Sequence, residues 1–188
     1  DTLVDFIDHC QSPVEAKSDQ GSFASVLAGK LHPSGLYECT ACGLHFRWPS
    51  PDPVELESLY RALPANNWRT DEHEPLSWKL AQEFLLTNLQ TISNPTVLDI
   101  GAFTGGFLTS LPSDWVKYAI EPSQAACVEL ESKGIRLLES RLENLQGTDM
   151  QARFDVITML DVLEHLTNPT ESIELLKKCL RPNGLLLI

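Results

Sequence analysis

Apolar and polar positions change their rhythm along the chain near residue 72. Beyond that point, short apolar runs alternate with segments whose apolar residues return at helical spacing, which predicts strands alternating with helices. Leu76, Leu80, Phe84, Leu85 and Leu89 predict a lead-in helix. Thr96–Ile100 predicts a strand ending in an acid, with a helix expected over 105–111. Val116–Ile120 predicts a second strand, closed by Glu121-Pro122 and followed by a helix over 123–133, with Gly134 placed to end it in left-handed geometry. A third strand is expected at 135–138 and a fourth at 154–159. Asn168-Pro169 opens a helix over 170–180, and Pro182-Asn183-Gly184 turns the chain into a fifth strand. Such alternation implies parallel pairing with right-handed crossovers. The predicted fold class is α/β: a doubly wound, Rossmann-like, mostly parallel sheet.

Residues 1–70 lack this regularity, and Pro13, Pro33, Pro49, Pro51, Pro53 and Pro64 interrupt them. Leu36-Tyr37-Glu38-Cys39 and Leu44-His45-Phe46-Arg47-Trp48 predict two short strands around a tight turn at 40–43. Asp52 with Pro53 then predicts a helix N-cap and a first-turn proline, and Val54, Leu56, Leu59, Tyr60 and Leu63 follow at roughly helical spacing. The expected organisation is a small irregular module over 1–70 and an α/β domain over 71–188. The chain begins without Met and stops inside the apolar run Leu185-Leu186-Leu187-Ile188, so the α/β domain is expected to be incomplete at its C-terminal end.

Composition narrows the partners. With 43% hydrophobic and 21% charged residues, the 188-residue chain has the content of a globular protein. No apolar run approaches the roughly 18 residues a membrane-spanning helix needs, and the N-terminus lacks a signal-peptide pattern, so a cytoplasmic protein is expected. The net charge of −12 is spread evenly: residues 1–80 carry 6 basic and 12 acidic side chains, and 81–188 carry 8 and 14. Neither part offers the basic surface that neutralises phosphates, so the expected partner is a small molecule rather than nucleic acid or membrane. Five cysteines in a chain of this kind argue against a disulfide framework. Cys127 and Cys179 fall in apolar helical patterns and are expected to be small buried hydrophobes.

In a doubly wound sheet, ligands bind past the C-terminal strand ends where strand order reverses, so the first strand-to-helix turn carries the chemistry. That turn reads Asp99-Ile100-Gly101-Ala102-Phe103-Thr104-Gly105-Gly106. Gly101 lets the backbone turn sharply against a ligand, and Gly105 and Gly106 keep the helix entry clear. Glu121 ends the next strand, where a carboxylate can accept both hydrogen bonds of a ribose diol. Phe103 stands at the second glycine of the dinucleotide pattern and would crowd a pyrophosphate. A nicotinamide-dependent oxidoreductase is therefore disfavoured against a ligand without phosphate.

Four ordered segments carry a family resemblance. Val97-Leu98-Asp99-Ile100-Gly101 with Gly105, and Tyr118-Ala119-Ile120-Glu121-Pro122-Ser123, resemble the first two motifs of class I S-adenosylmethionine-dependent methyltransferases. The segment from Phe154 through Asp161, Glu164 and His165 to Pro169 is similar to their fourth-strand motif, and Leu176 to Leu185 to the lead-in of their fifth strand. The resemblance implies S-adenosylmethionine as cofactor. It places Asp99, Gly101, Ala102, Phe103 and Gly105 in the cofactor loop, Glu121 and Pro122 at the ribose, Arg141 and Leu142 near adenine and Leu160 beside the sulfonium. Phe103 and Arg141 depart from the usual residues of these motifs. Those departures keep open a non-catalytic binding or regulatory protein with the same fold.

Methyl transfer is an in-line displacement, so alignment supplies much of the rate, and a base is needed only if the acceptor loses a proton. His165 is the candidate base, against the plainer reading of a structural histidine. Cys39-Thr40-Ala41-Cys42-Gly43 has metal-knuckle spacing. Tetrahedral zinc needs four ligands, and Cys10 with His9, His32 or His45 are the remaining candidates. The segment also resembles the zinc-binding region found before some bacterial methyltransferase domains, several of which act on sugars or other small metabolites. Zinc on Cys10, Cys39 and Cys42 and two free thiols are both open.

Overall fold

A computed structural model describes residues 10–11, 35–48, 52–62 and 75–188. The chain divides into two compact units, Asp1–Ser58 and Leu59–Ile188. In the first, β1 (Cys10–Gln11), β2 (Gly35–Cys39) and β3 (His45–Trp48) form an antiparallel sheet in that order. Gly43 at φ +74° supplies the left-handed turn between β2 and β3, and its amide donates to the Cys39 carbonyl at 2.7 Å. Tyr37 and Phe46 pair across the strands with ring centroids 6.0 Å apart. Helix α1 (Pro53–Arg61) starts as its sequence predicts, because Asp52 Oδ1 accepts from the amides of Val54 and Glu55 at 2.8 and 3.1 Å.

The second unit is built on a parallel sheet. It comprises β4 (Thr96–Ile100), β5 (Val116–Ile120), β6 (Arg136–Glu139), β7 (Phe154–Thr158) and β8 (Leu180–Leu187), ordered β6-β5-β4-β7-β8. The chain runs outward from β4 to β6, then returns to the other side of β4 for β7. The order therefore reverses at β4, and the crevice above its C-terminal end is the ligand position of such sheets. β4 and β7 are central and buried almost throughout, which is why their sequences are nearly continuous apolar runs rather than alternating ones.

Apolar residues fill both faces. Lead-in helix α2 (Leu76–Asn88), helix α3 (Gly106–Ser110) and helix α4 (Gln124–Ser132) bury Leu85, Phe107, Leu108 and Leu130 with Val97 and Ala119 on one face. A 3-10 turn at Leu142–Leu145 and helix α5 (Pro169–Cys179) bury Leu142, Leu145 and Leu176 with Leu98, Ile120 and Ile157 on the other. Each fully buried large side chain of this kind contributes about 1.5–3 kcal/mol. At the margin of the second core the guanidinium groups of Arg136 and Arg153 lie 5.5 and 5.2 Å from the Tyr118 ring centre and donate to its hydroxyl. Asp155 clips three strands together: its Oδ2 accepts from the Thr96 amide at 2.8 Å and from Arg181 Nη1 at 2.7 Å.

Two expectations change in detail. On α2 the inward stripe is Ala81, Leu85 and Leu89 with half-buried Trp78, while Leu76, Leu80 and Phe84 are exposed. Both stripes have helical spacing, and contact with α3 selects between them: Trp78 fills the space beside Gly106 that any side chain there would occupy. Cys179 is buried as expected, but Cys127 is half-buried and its Sγ lies 3.4 Å from the Glu121 carbonyl.

Candidate functional site

The loop after β4 is shaped by two left-handed residues in succession of three, Gly101 at φ +70° and Phe103 at φ +46°. Gly101 is required twice over. Its φ disfavours other residues, and a Cβ there would lie 2.6 Å from Val162 Cγ2 on the loop after β7. Gly105, at φ +77°, caps α3 where a Cβ would meet Ile135 Cδ1 at 2.6 Å and Leu130 Cδ2 at 2.7 Å. The loop amides turn inward. Gly101 and Ala102 donate to the Ile120 carbonyl, Gly105 to the Ala102 carbonyl, and Phe103 to Glu121 Oε2 at 2.7 Å.

Glu121 is buried at the end of β5, and its carboxylate spans two segments. Oε2 accepts from Phe103 and Oε1 from the Ser123 amide, also at 2.7 Å. Burial raises its pKa, and the two amide hydrogen bonds oppose that shift by stabilising the charged form. A carboxylate offers about four acceptor positions, so two remain for ligand hydroxyls. Ser123 has a second role as the N-cap of α4, its Oγ accepting from Ala126. Pro122 between them is half-buried.

Asp99 lies beneath the loop, fully enclosed, and accepts from Thr158 Oγ1 at 2.6 Å. The two are cross-strand partners on β4 and β7. Burial drives the Asp99 pKa up to about 7, with the charge of Glu121 adding to the shift and the Thr158 hydroxyl opposing it. Leu142 is buried in the 3-10 turn after β6, and Arg141 before it pairs with Glu143 at 3.2 Å. Leu160 is half-buried at the end of β7 and packs on the first core. The topology thus gathers the predicted cofactor residues at the C-terminal ends of the strands, Asp99 within β4 and the others on the loops and turns after β4, β5, β6 and β7.

His165 ends a 3-10 turn (Leu163–His165) after β7 and is exposed. Its Nδ1 lies 2.8 Å from the Tyr60 hydroxyl, with the rings edge to face at 5.8 Å. Tyr60, Ser123, Thr158 and Val162 are contacts that sequence reasoning did not single out. Thr158 and Ser123 carry a signal, since strand register puts the first beside Asp99 and capping chemistry marks the second. Tyr60 lies 105 residues from His165 and carries none.

The knuckle is part of what the zinc expectation requires. Cys39 is buried and Cys42 exposed on the turn after β2. The amides of Ala41 and Cys42 and the Cys42 thiol hold the Cys39 pKa below its ordinary value. The Cys10 backbone pairs with Cys39 across β1 and β2, while its side chain, like His9 and His32, lies outside the described residues. His45 faces Glu38 at 3.9 Å. Among the described residues no group of three metal-ligating side chains comes together. Two thiols do not make a tetrahedral site, so the described residues do not support the zinc expectation.

Comparison with known proteins agrees with the fold. The family model described as methyltransferase domain matches residues 68–188. A ubiquinone biosynthesis O-methyltransferase of Rickettsia canadensis is 27% identical over 154 residues, covering 74% of this chain and 63% of that protein. The mitochondrial ubiquinone biosynthesis O-methyltransferase of Dictyostelium discoideum is 34% identical over 59 residues, 31% of this chain and 18% of that protein. The chain thus spans less than two thirds of the length of these curated relatives. The crystal structure of the CurJ carbon methyltransferase aligns with a TM-score of 0.52 at 18% identity, covering 72% of this chain and 38% of that one, a likeness of fold. Among the described residues no helix is long and apolar enough to cross a membrane.

Proposed function

The chain belongs to the methyltransferase-domain family, and from that premise we propose that it is an S-adenosylmethionine-dependent methyltransferase acting on a hydroxyl group of a small molecule. The observation that carries the reading is Glu121: a buried carboxylate, tied to the glycine loop through Phe103, with acceptor capacity left for a ribose diol. Phe103, at the second glycine of the dinucleotide pattern, opposes the nicotinamide alternative. In this reading Gly101, Ala102 and Phe103 hold the amino-acid part of the cofactor, Leu142 packs near adenine, and Leu160 lies by the sulfur. Arg141 is directed toward Glu143 and contributes its backbone.

S-adenosylmethionine, when bound, supplies an electrophilic methyl group. The chain's residues align the acceptor, exclude water and receive the acceptor's proton. His165 is the proton acceptor in this reading, standing on the loop that adjoins the cofactor loop through Val162 and Gly101. A hydroxyl acceptor, within the expected class of a sugar or other small metabolite, is favoured because the curated relatives are named O-methyltransferases. The test incubates the protein with S-adenosylmethionine and a panel of phenols, sugars and amines, reading S-adenosylhomocysteine release. Release with a hydroxyl compound, reduced at least about 100-fold in His165→Ala, is expected. Release only with amines contradicts the acceptor class. No release across the panel, with the cofactor still bound, contradicts the enzyme and favours the binding-protein reading.

A further inference from the structure

Tyr60 is the one described residue hydrogen-bonded to the His165 ring, and it comes from α1, outside the sheet. Both residues belong to the second compact unit. An exposed histidine on a short turn would ordinarily sample several rotamers, at a side-chain entropy cost for any contact that orders it. Here a 2.8 Å hydrogen bond and an edge-to-face ring contact fix both the direction and the tilt of the imidazole. A contact on Nδ1 leaves Nε2 as the nitrogen free to meet an acceptor molecule.

We propose that Tyr60 is a positioning residue for His165, accepting a hydrogen bond from Nδ1–H so that neutral His165 presents an unprotonated Nε2 to the acceptor hydroxyl. The inference deepens the reading of His165 as proton acceptor and rests on it for its catalytic meaning. The direction of the hydrogen bond follows from the role of His165 as proton acceptor. Burial and the charge of Glu164 both raise the Tyr60 pKa, so the phenol keeps its proton. The 2.8 Å contact is open to either donor; a proton acceptor at Nε2 needs that nitrogen unprotonated, which puts the ring hydrogen on Nδ1 and makes the Tyr60 oxygen its acceptor. Free imidazole in water favours no such arrangement. The tautomer at His165 is set by the partner on its other nitrogen, as histidine roles generally are. When His165 takes the proton of the acceptor hydroxyl at Nε2, the O–H bond breaks, its electron pair stays on oxygen, and the imidazolium keeps Nδ1–H on Tyr60.

The test uses the chain labelled with 15N-histidine, without any acceptor, at a pH where the ring is neutral. Its nitrogen shifts should report Nδ1 protonated and Nε2 unprotonated at His165, assigned against His165→Ala. In Tyr60→Phe the ring packing survives and the hydroxyl is lost, so the His165 signal should move toward the Nε2–H form. A purely structural Tyr60 would leave that signature unchanged. An Nε2–H signal in the unaltered protein, or no change in Tyr60→Phe with the fold intact by circular dichroism, overturns the proposal. A second reading is kinetic: with an acceptor from the panel, Tyr60→Phe should lower kcat about 10-fold with KM changed less than about twofold. If the nitrogen shifts behave as expected but His165→Ala methylates normally, the catalytic reading fails while the positioning stands.

Discussion

Two loops at the same edge of the sheet are held in opposite ways. The loop after β4 is closed by hydrogen bonds and packing: Glu121, Ile120 and Ala102 take up its amides, and Ile135, Leu130 and, from the loop after β7, Val162 fill the space beside its glycines. The loop after β7 also contains a left-handed residue, Asp161 at φ +57°, but Asp161, Glu164 and His165 are exposed, and His165 takes its ring partner from a helix far away in sequence. The first has the construction of a rigid seat for a cofactor. The second has the construction of a site that meets changing acceptors, where function is set by a few directed contacts rather than by packing.

The contrast can be broken by substitution, and the glycine loop should give the largest effect. Gly101→Ala combines positive φ with a Cβ pressed on Val162, and should cost about 2–4 kcal/mol in urea denaturation, with the m-value unchanged. A cost under about 1 kcal/mol would mean the loop is less tightly closed than its contacts indicate.

Next comes the buried acid. Asp99 has its folded pKa raised to about 7 from 3.8, so the folded state binds its proton more tightly than the unfolded chain does. Its contribution is therefore fully present below about pH 4 and is lost as pH rises through about 7. Asp99→Asn should flatten the fall in stability across that window, by at most about 4 kcal/mol on linkage grounds. Glu121, raised in the same direction, leaves a residual slope. Equal profiles for the Asp99 variant and the unaltered protein would show that Asp99 keeps an ordinary pKa.

The smallest effect belongs to Asp161→Gly. Relief of a left-handed aspartate is offset by the greater freedom of glycine in the unfolded chain, and the net change should lie within about 0.5 kcal/mol by the same denaturation measurement. A loss comparable to that of Gly101→Ala would erase the difference between the loops.

The same division governs what the sequence made legible. Thr96–Ile100 and Val116–Ile120 match their predicted strands, and the cap at Asp52 and the helix opening at Asn168 are read from local hydrogen-bond chemistry. The glycine loop and Glu121 lie close in sequence, so strand order alone brings them together. Trp78 against Gly106, Val162 against Gly101 and Tyr60 against His165 depend on how helices and loops pack across the sheet, which periodicity does not encode. The exposed stripe of α2 makes the same point: Leu76, Leu80 and Phe84 have helical spacing as good as that of the buried residues, and only tertiary contact separates the two.

The central claim is that the buried Glu121 carboxylate, seated on the glycine loop, holds the ribose of S-adenosylmethionine. Titration calorimetry of the chain and of Glu121→Gln with S-adenosylhomocysteine, and separately with NADH, tests it most directly. The account predicts binding of S-adenosylhomocysteine, no heat with NADH, and affinity weakened about 30-fold, or about 2 kcal/mol, in Glu121→Gln. Binding of NADH alone, or a Gln variant that binds S-adenosylhomocysteine as tightly as the unaltered protein, would contradict it.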